Sequence, residues 1–231
     1  MRTIILFTLI VLITLVLIPI IIFCWVFRSP QILIWAGKQA LRIAPKILGI
    51  HIEITGADEI KKDRSYIFMS NHLSFLDGPL LFMIIPQPIR VILKKEVFRI
   101  PVIGLGMRQV DFVPVDRKGI KGGKKSIDRA VQLIKDKGYS FLIFPEGTRS
   151  LNGHLQPFRR GGFFLALNSS VPILPISIQG TYELMPKGSF FVKRGSIRVI
   201  LHSAISVEGY NEKSLPDLIS KVQNIIREGL Q

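Results

Sequence analysis

From residue 50 onward the chain alternates short apolar runs with amphipathic or turn-rich stretches. Runs rich in β-branched and aromatic residues, bounded by turn residues, predict strands at 51–55, 65–70, 89–93, 110–115, 139–144, 173–178 and 196–202. Segment 124–137 instead carries Ile127, Val131, Leu133 and Ile134 at helical spacing. Helices are also predicted over 75–85, 161–169 and 214–229, the last capped by Ser214. Strands interleaved with helices predict an α/β domain. No repeat, low-complexity tract or linker divides this part, so one body is expected over 50–231.

The first 49 residues follow a different pattern. No charged residue lies between Ile4 and Phe27. As a helix this run would reach about 36 Å, more than the ~30 Å of bilayer hydrocarbon, and Pro19 would kink it. It predicts a retained N-terminal membrane helix. The competing reading, a cleaved signal peptide, fits less well because the run is long and no small-residue cleavage site follows. Residues 31–48 mix Ile32, Leu33, Trp35, Leu41, Ile43, Ile47 and Leu48 with Lys38, Arg42 and Lys46. This is either a basic amphipathic helix in the headgroup layer or a core helix with a solvated basic edge. Residues 1–49 are therefore expected to be a membrane anchor plus an interfacial segment. Cations after the apolar run, against Arg2 before it, place the body on the cytoplasmic face.

Charge narrows the partners. Lys and Arg number 31 against 16 Asp and Glu, a formal net charge of +15, which suits nucleic acid, an anionic membrane or phosphorylated substrates. The mean hydropathy of +0.38 favours the bilayer, and no RNA-binding pattern with interleaved aromatics occurs, so no nucleic-acid partner is expected. One cysteine, Cys24, excludes an intrachain disulfide and a cysteine metal cluster. His51, His154 and His202 have no second ligand at metal-site spacing and read as structural or solvated, so no metal is expected.

Chemistry concentrates at strand ends, where open α/β sheets place their ligands. Asn71-His72-Leu73-Ser74-Phe75-Leu76-Asp77 follows the apolar run Tyr66 to Met69. On one continuous helix His72 and Asp77 would be separated by about 140° and could not face each other. With Ser74 as N-cap, His72 stays in the loop and the Asp77 carboxylate reaches back from the first turn. If they meet, the carboxylate fixes the imidazole tautomer and the other nitrogen can take a proton from an alcohol. Otherwise His72 merely ends a strand and Asp77 supports a helix dipole. A second apolar run, Phe141 to Phe144, enters Pro145-Glu146-Gly147-Thr148-Arg149-Ser150. Gly147 lets a backbone approach a ligand, and Arg149 offers a planar donor fork for phosphate. Arg159 and Arg160 add cationic reach. Val113-Pro114-Val115-Asp116-Arg117 ends a third strand, which Pro114, lacking a donor, assigns to a sheet edge. Each arginine alone reads as a surface charge, whereas three such strand ends together point to one phosphate pocket.

Taken together these segments resemble the 1-acyl-sn-glycerol-3-phosphate acyltransferase family, within the glycerolipid acyltransferase superfamily. Its Asn-His-x4-Asp motif matches Asn71, His72 and Asp77. A Gly-rich stretch ending in Asp-Arg is similar to Gly104 to Arg117, preceded by Lys94, Lys95 and Pro101, although Val113-Pro114-Val115 stands where members often have Phe-Ile. Phe-Pro-Glu-Gly-Thr-Arg-Ser is complete at 144–150 and followed by Phe158-Arg159-Arg160-Gly161. A Val-Pro-Ile-x-Pro stretch matches Val171, Pro172, Ile173 and Pro175. All four occur in family order across 71–175.

The resemblance implies a single acyltransferase domain, α/β, with a mixed, largely parallel sheet flanked by helices and preceded by the membrane helix. It implies a 1-acylglycerol-3-phosphate O-acyltransferase moving a fatty acyl group from acyl-CoA or acyl-carrier protein to the sn-2 hydroxyl of lysophosphatidic acid, forming phosphatidic acid. In that scheme His72 is the base and Asp77 orients it. Glu146, Gly147 and Thr148 contact the acceptor, Arg117 and Arg149 hold its phosphate, and Lys94 adds to the substrate site. No cofactor beyond the acyl donor is implied, and membrane lipid is the remaining partner. The alternatives are another lysophospholipid or an aminolipid as acceptor, or a non-catalytic protein that binds anionic lipid.

Overall fold

Buried strands need partners for their main-chain N–H and C=O groups, and the seven apolar runs find them in one another. The computed structural model describes residues 8, 11, 12, 15, 18, 19, 22–24, 30–116, 120–189 and 191–231. In chain order the strands are β1 (Ile50–Thr55), β2 (Ile67–Ser70), β3 (Ile89–Lys94), β4 (Val113–Val115), β5 (Ser140–Ile143), β6 (Ile173–Gln179) and β7 (Gly195–Leu201). They form one sheet in the order β1-β7-β6-β2-β5-β3-β4. Neighbours from β6 through β4 are parallel, β7 runs antiparallel to β6, and β1 is parallel to β7. The sheet is thus mixed and largely parallel. Pro114 lies in β4, the edge strand, where its missing donor removes no interior ladder bond.

The helices are α1 (Pro30–Leu48), α2 (Asp77–Ile84), α3 (Ile103–Gln109), α4 (Ile120–Lys137), α5 (Gly161–Ser169), α6 (Thr181–Leu184) and α7 (Leu215–Glu228). Alternating side chains of the central strand serve two cores, as the two-residue period of a strand requires. Ile67 and Met69 join Phe141, Ile173, Ala130 and Leu133 of α4, Phe163 and Leu165 of α5, and Leu218 and Val222 of α7. Tyr66 and Phe68 join Leu142, Leu174 and Ile176 with Leu80 and Leu81 of α2. With the sheet covered on both faces, ligand access is left to its ends.

Several local expectations need correction. The strand expected over 110–115 is only Val113–Val115, because the chain before it coils into α3 and Asp111 turns in the left-handed region at φ 57°. The helix after His72 starts at Asp77 with Leu76 in the capping position, so Ser74 is not its N-cap. Ser214 does precede α7, but its hydroxyl accepts the N–H of Asn211 instead of a helix N–H. The expected membrane helix over 4–27 lies largely outside the described residues, and none of the described helices is long and apolar enough to cross a membrane. Cys24 at its end is buried against Leu33 of α1 and Val110.

Candidate active site

The parallel strands β2, β5 and β3 lie side by side and release their chains at the same edge of the sheet. That edge receives the loop after Ser70, the loop after Ile143 and Lys94. Asn71, fully buried, begins the first loop: its amide donates to the Ile178 carbonyl at 2.8 Å and its oxygen accepts the Ile178 N–H at 2.8 Å. One side chain therefore takes both main-chain groups of a β6 residue, as a neighbouring strand would.

His72 comes next and meets Asp77. Nδ1 of the imidazole lies 2.9 Å from Oδ2 of Asp77, and that oxygen also accepts the N–H groups of Leu73 at 2.7 Å and Ser74 at 2.8 Å. Asp77 is wholly buried, whereas the His72 side chain keeps 21% of its surface exposed. An ionised carboxylate only accepts, so Nδ1 carries the proton and Nε2 is left with a lone pair. The Ser74 hydroxyl ties the loop elsewhere, donating to the Met185 carbonyl at 2.7 Å. The Phe144 ring stacks on the imidazole with centroids 4.0 Å apart and planes inclined by 16°.

The second loop grips the same residue. Glu146 Oε1 accepts the His72 N–H at 2.7 Å, Ser150 N–H donates to the His72 carbonyl at 2.8 Å, and Glu146 Oε2 accepts the Gln156 N–H at 3.0 Å. Burial pushes the Glu146 carboxyl up to about 7, against the lowering effect of those two N–H bonds, and the nearby Asp77 charge adds to the rise. Gly147 turns at φ 73°, and a Cβ there would stand 2.9 Å from Nε of Arg159. The Arg159 side chain thus lies over the Gly147 backbone, whose positive φ favours glycine.

The 144–150 loop brings Phe144, Glu146 and Ser150 into contact with His72 and carries Gly147, Thr148 and Arg149 between the last two. Lys94 ends β3 on the same edge, well exposed and 3.9 Å from Glu96. Arg117 lies outside the described residues. Lys187 enters unannounced by any spacing in the sequence, its ammonium donating to the Thr148 hydroxyl at 3.1 Å and the Arg149 carbonyl at 3.3 Å. The remaining histidines stand apart: His51 is a solvated strand residue, His154 is exposed in a turn, and His202 is bonded to Ser177 at 2.8 Å. A proton acceptor with a fixed tautomer, partly open to solvent, is equipped to activate a hydroxyl.

The Acyltransferase family model matches residues 51–179, more than half of the chain and all of the loops just described. The chain belongs to the acyltransferase family. Among its relatives is a chloroplastic 1-acyl-sn-glycerol-3-phosphate acyltransferase of Brassica napus, 39% identical over 66% of this chain and 44% of that one. A 1-acyl-sn-glycerol-3-phosphate acyltransferase of Limnanthes alba is 34% identical over 78% of this chain and 63% of its own length. The chain thus spans less than two thirds of either plant protein. The crystal structure of the 1-acyl-sn-glycerophosphate acyltransferase of Thermotoga maritima shares the acyltransferase fold with a TM-score of 0.81 at 24% identity, covering 99% of this chain and 96% of that one.

Proposed function

We propose that this acyltransferase moves a fatty acyl group from acyl-CoA or acyl-carrier protein to the sn-2 hydroxyl of lysophosphatidic acid, yielding phosphatidic acid. The observation that carries this reading is the Nδ1–Asp77 bond, which leaves Nε2 of a partly exposed His72 free to accept the hydroxyl proton. The alcohol needs that help because its pKa is high, whereas the thiolate leaves unaided. The acceptor oxygen attacks the thioester carbon as its proton passes to Nε2, the tetrahedral adduct collapses by breaking the carbon–sulfur bond, and the Nε2 proton passes to the departing thiolate or to solvent, restoring neutral His72. No covalent enzyme intermediate is required. Arg149, with no acidic partner among the described residues, and Lys187 supply positive charge for the acceptor phosphate, and Arg117 and Lys94 are assigned to the same task. The plant relatives' names carry the same acceptor.

An apolar groove running between α1, β1 and α2, lined by Leu41, Pro45, Leu48, Ile52, Leu76 and Met83 among others, has the chemistry to shelter a fatty chain. Membrane residence with the body on the cytoplasmic face is part of the proposal. Helix α1 supports it by exposing Ile32, Trp35, Ile43 and Ile47, side chains that a core helix would bury.

The test is an assay of the full chain with lysophosphatidic acid and each donor in turn, comparing wild type with His72→Ala. A loss of at least ~10²-fold with folding intact is expected for removal of a general base. Full turnover in the variant would remove the mechanism, and the preferred donor is read from the wild-type rates.

A further inference from the structure

We infer that Glu146 is a positioning residue that holds the main chain of His72 and makes no direct contact with the acceptor. This rests on the reading of His72 as the base and departs from the acceptor-binding role that family resemblance gives to Glu146. Each carboxylate oxygen already has a main-chain donor, His72 N–H at 2.7 Å and Gln156 N–H at 3.0 Å. The residue is 2% exposed, so an incoming hydroxyl has almost no path to the lone pairs that these bonds leave unused.

What the two bonds accomplish follows from their ends. Glu146 ties the turn carrying His72 to the turn carrying Gln156, and its own loop is pinned to both: Ser150 N–H to the His72 carbonyl, and Arg159 N–H to the Pro145 carbonyl at 2.8 Å. Both main-chain groups of His72 are therefore held by one loop, and Phe144 of that loop sets the plane of the ring. Asp77 then decides only rotation within that plane and the site of the proton. A carboxylate suits the task because charged acceptors form the shorter and stronger bonds to N–H groups. Burial opposes that charge and outweighs the two bonds that favour it, which raises the carboxyl pKa.

A group that places the base affects turnover, whereas a group that binds the acceptor affects its KM. Misplacement of a reacting group by about 1 Å costs on the order of 10²-fold in rate. In assays of the full chain with lysophosphatidic acid and palmitoyl-CoA, Glu146→Ala is expected to lower kcat by about 10²-fold. Glu146→Gln, isosteric and keeping one acceptor oxygen, should recover about a tenth of the wild-type kcat. The acceptor KM should stay within about twofold of wild type in both, with melting temperature recorded alongside. Glu146→Gln carries the test alone if the alanine variant does not fold. A tenfold rise in acceptor KM at unchanged kcat overturns the inference, as does wild-type kcat in both variants. His72→Ala in the same assay separates the two levels: turnover retained there sinks the base and the inference with it, whereas a KM effect at Glu146 beside an inactive His72→Ala sinks only the positioning role.

Discussion

Asp77→Asn tests the charge of the dyad while nearly preserving its shape. When His72 takes the acceptor proton it becomes an imidazolium 2.9 Å from a carboxylate that has no solvent exposure. Two unit charges at that separation attract by ~6 kcal/mol at an effective dielectric of about 20, and by ~3 kcal/mol at about 40. The asparagine oxygen can still accept from Nδ1, Leu73 and Ser74, so the tautomer survives and the charge does not. At about 1.36 kcal/mol per tenfold, kcat should fall by between ~10² and ~10⁴. The acceptor KM should barely change, since the uncharged ground state loses little. The new amide group takes the place of Asp77 Oδ1, which has no hydrogen-bond partner among the described residues, so its buried N–H donors go unpaired. That costs roughly 1–3 kcal/mol, or on the order of 2–12 °C in melting temperature for a chain of this size. Initial rates measured from thiol release, well below the lowered melting point, give both parameters. A variant with kcat within threefold of wild type would refute the argument that Asp77 stabilises a charged imidazole.

Arg149→Ala is expected to raise the acceptor KM by about tenfold or more, the loss of one charge-assisted phosphate contact, and to leave the rate on a phosphate-free monoacylglycerol unchanged. Equal effects on both acceptors would deny Arg149 its role. For Glu146 the folded carboxyl titrates near 7 instead of the usual 4.5, so the folded chain keeps a proton that the unfolded chain has released in that window. This group therefore weakens the fold as pH rises from about 4.5 to 7, and the melting temperature of Glu146→Gln minus that of wild type should climb across that window, from an offset set by the one N–H that the amide leaves unpaired. A difference that is flat with pH would show that no such titration exists. Gly147→Ala must place a Cβ 2.9 Å from Arg159 Nε at φ 73°, and should destabilise by ~1–3 kcal/mol, read as a lowered denaturation midpoint. Wild-type stability there would mean that the turn and Arg159 relax freely.

The sheet was legible in the sequence because each strand is a short apolar run with turn residues at its ends, and local pattern suffices to mark it. Helix α3 was not. Gly104 lets the helix press on the 95–99 turn, where a Cβ would lie 2.2 Å from the Phe98 carbonyl oxygen, a contact that no local pattern marks. At Ser74 the sequence carries half of a true signal. Ser-x-x-Asp has capping-box spacing, and Asp77 does reach back to the Ser74 N–H. The hydroxyl, however, is drawn to Met185, 111 positions away, a partner that no local pattern reveals. Separations of 107 and 39 positions likewise hide the bonds of Asn71 to Ile178 and of Lys187 to Thr148. Residue types and spacing announced His72 and Asp77 as a pair, while the contacts that hold them come from loops distant in sequence.

Asn71 spans the gap where β2 leaves the sheet, occupying the N–H and C=O of Ile178 together. The turn bearing the base is consequently part of the same cooperative unit as the central strands. Its amides should exchange with solvent on the slow timescale of sheet opening, not on that of surface loops. On the proposed mechanism, any breathing that admits a lipid or lets product depart then arises in the loops around His72 and not in the turn that carries it.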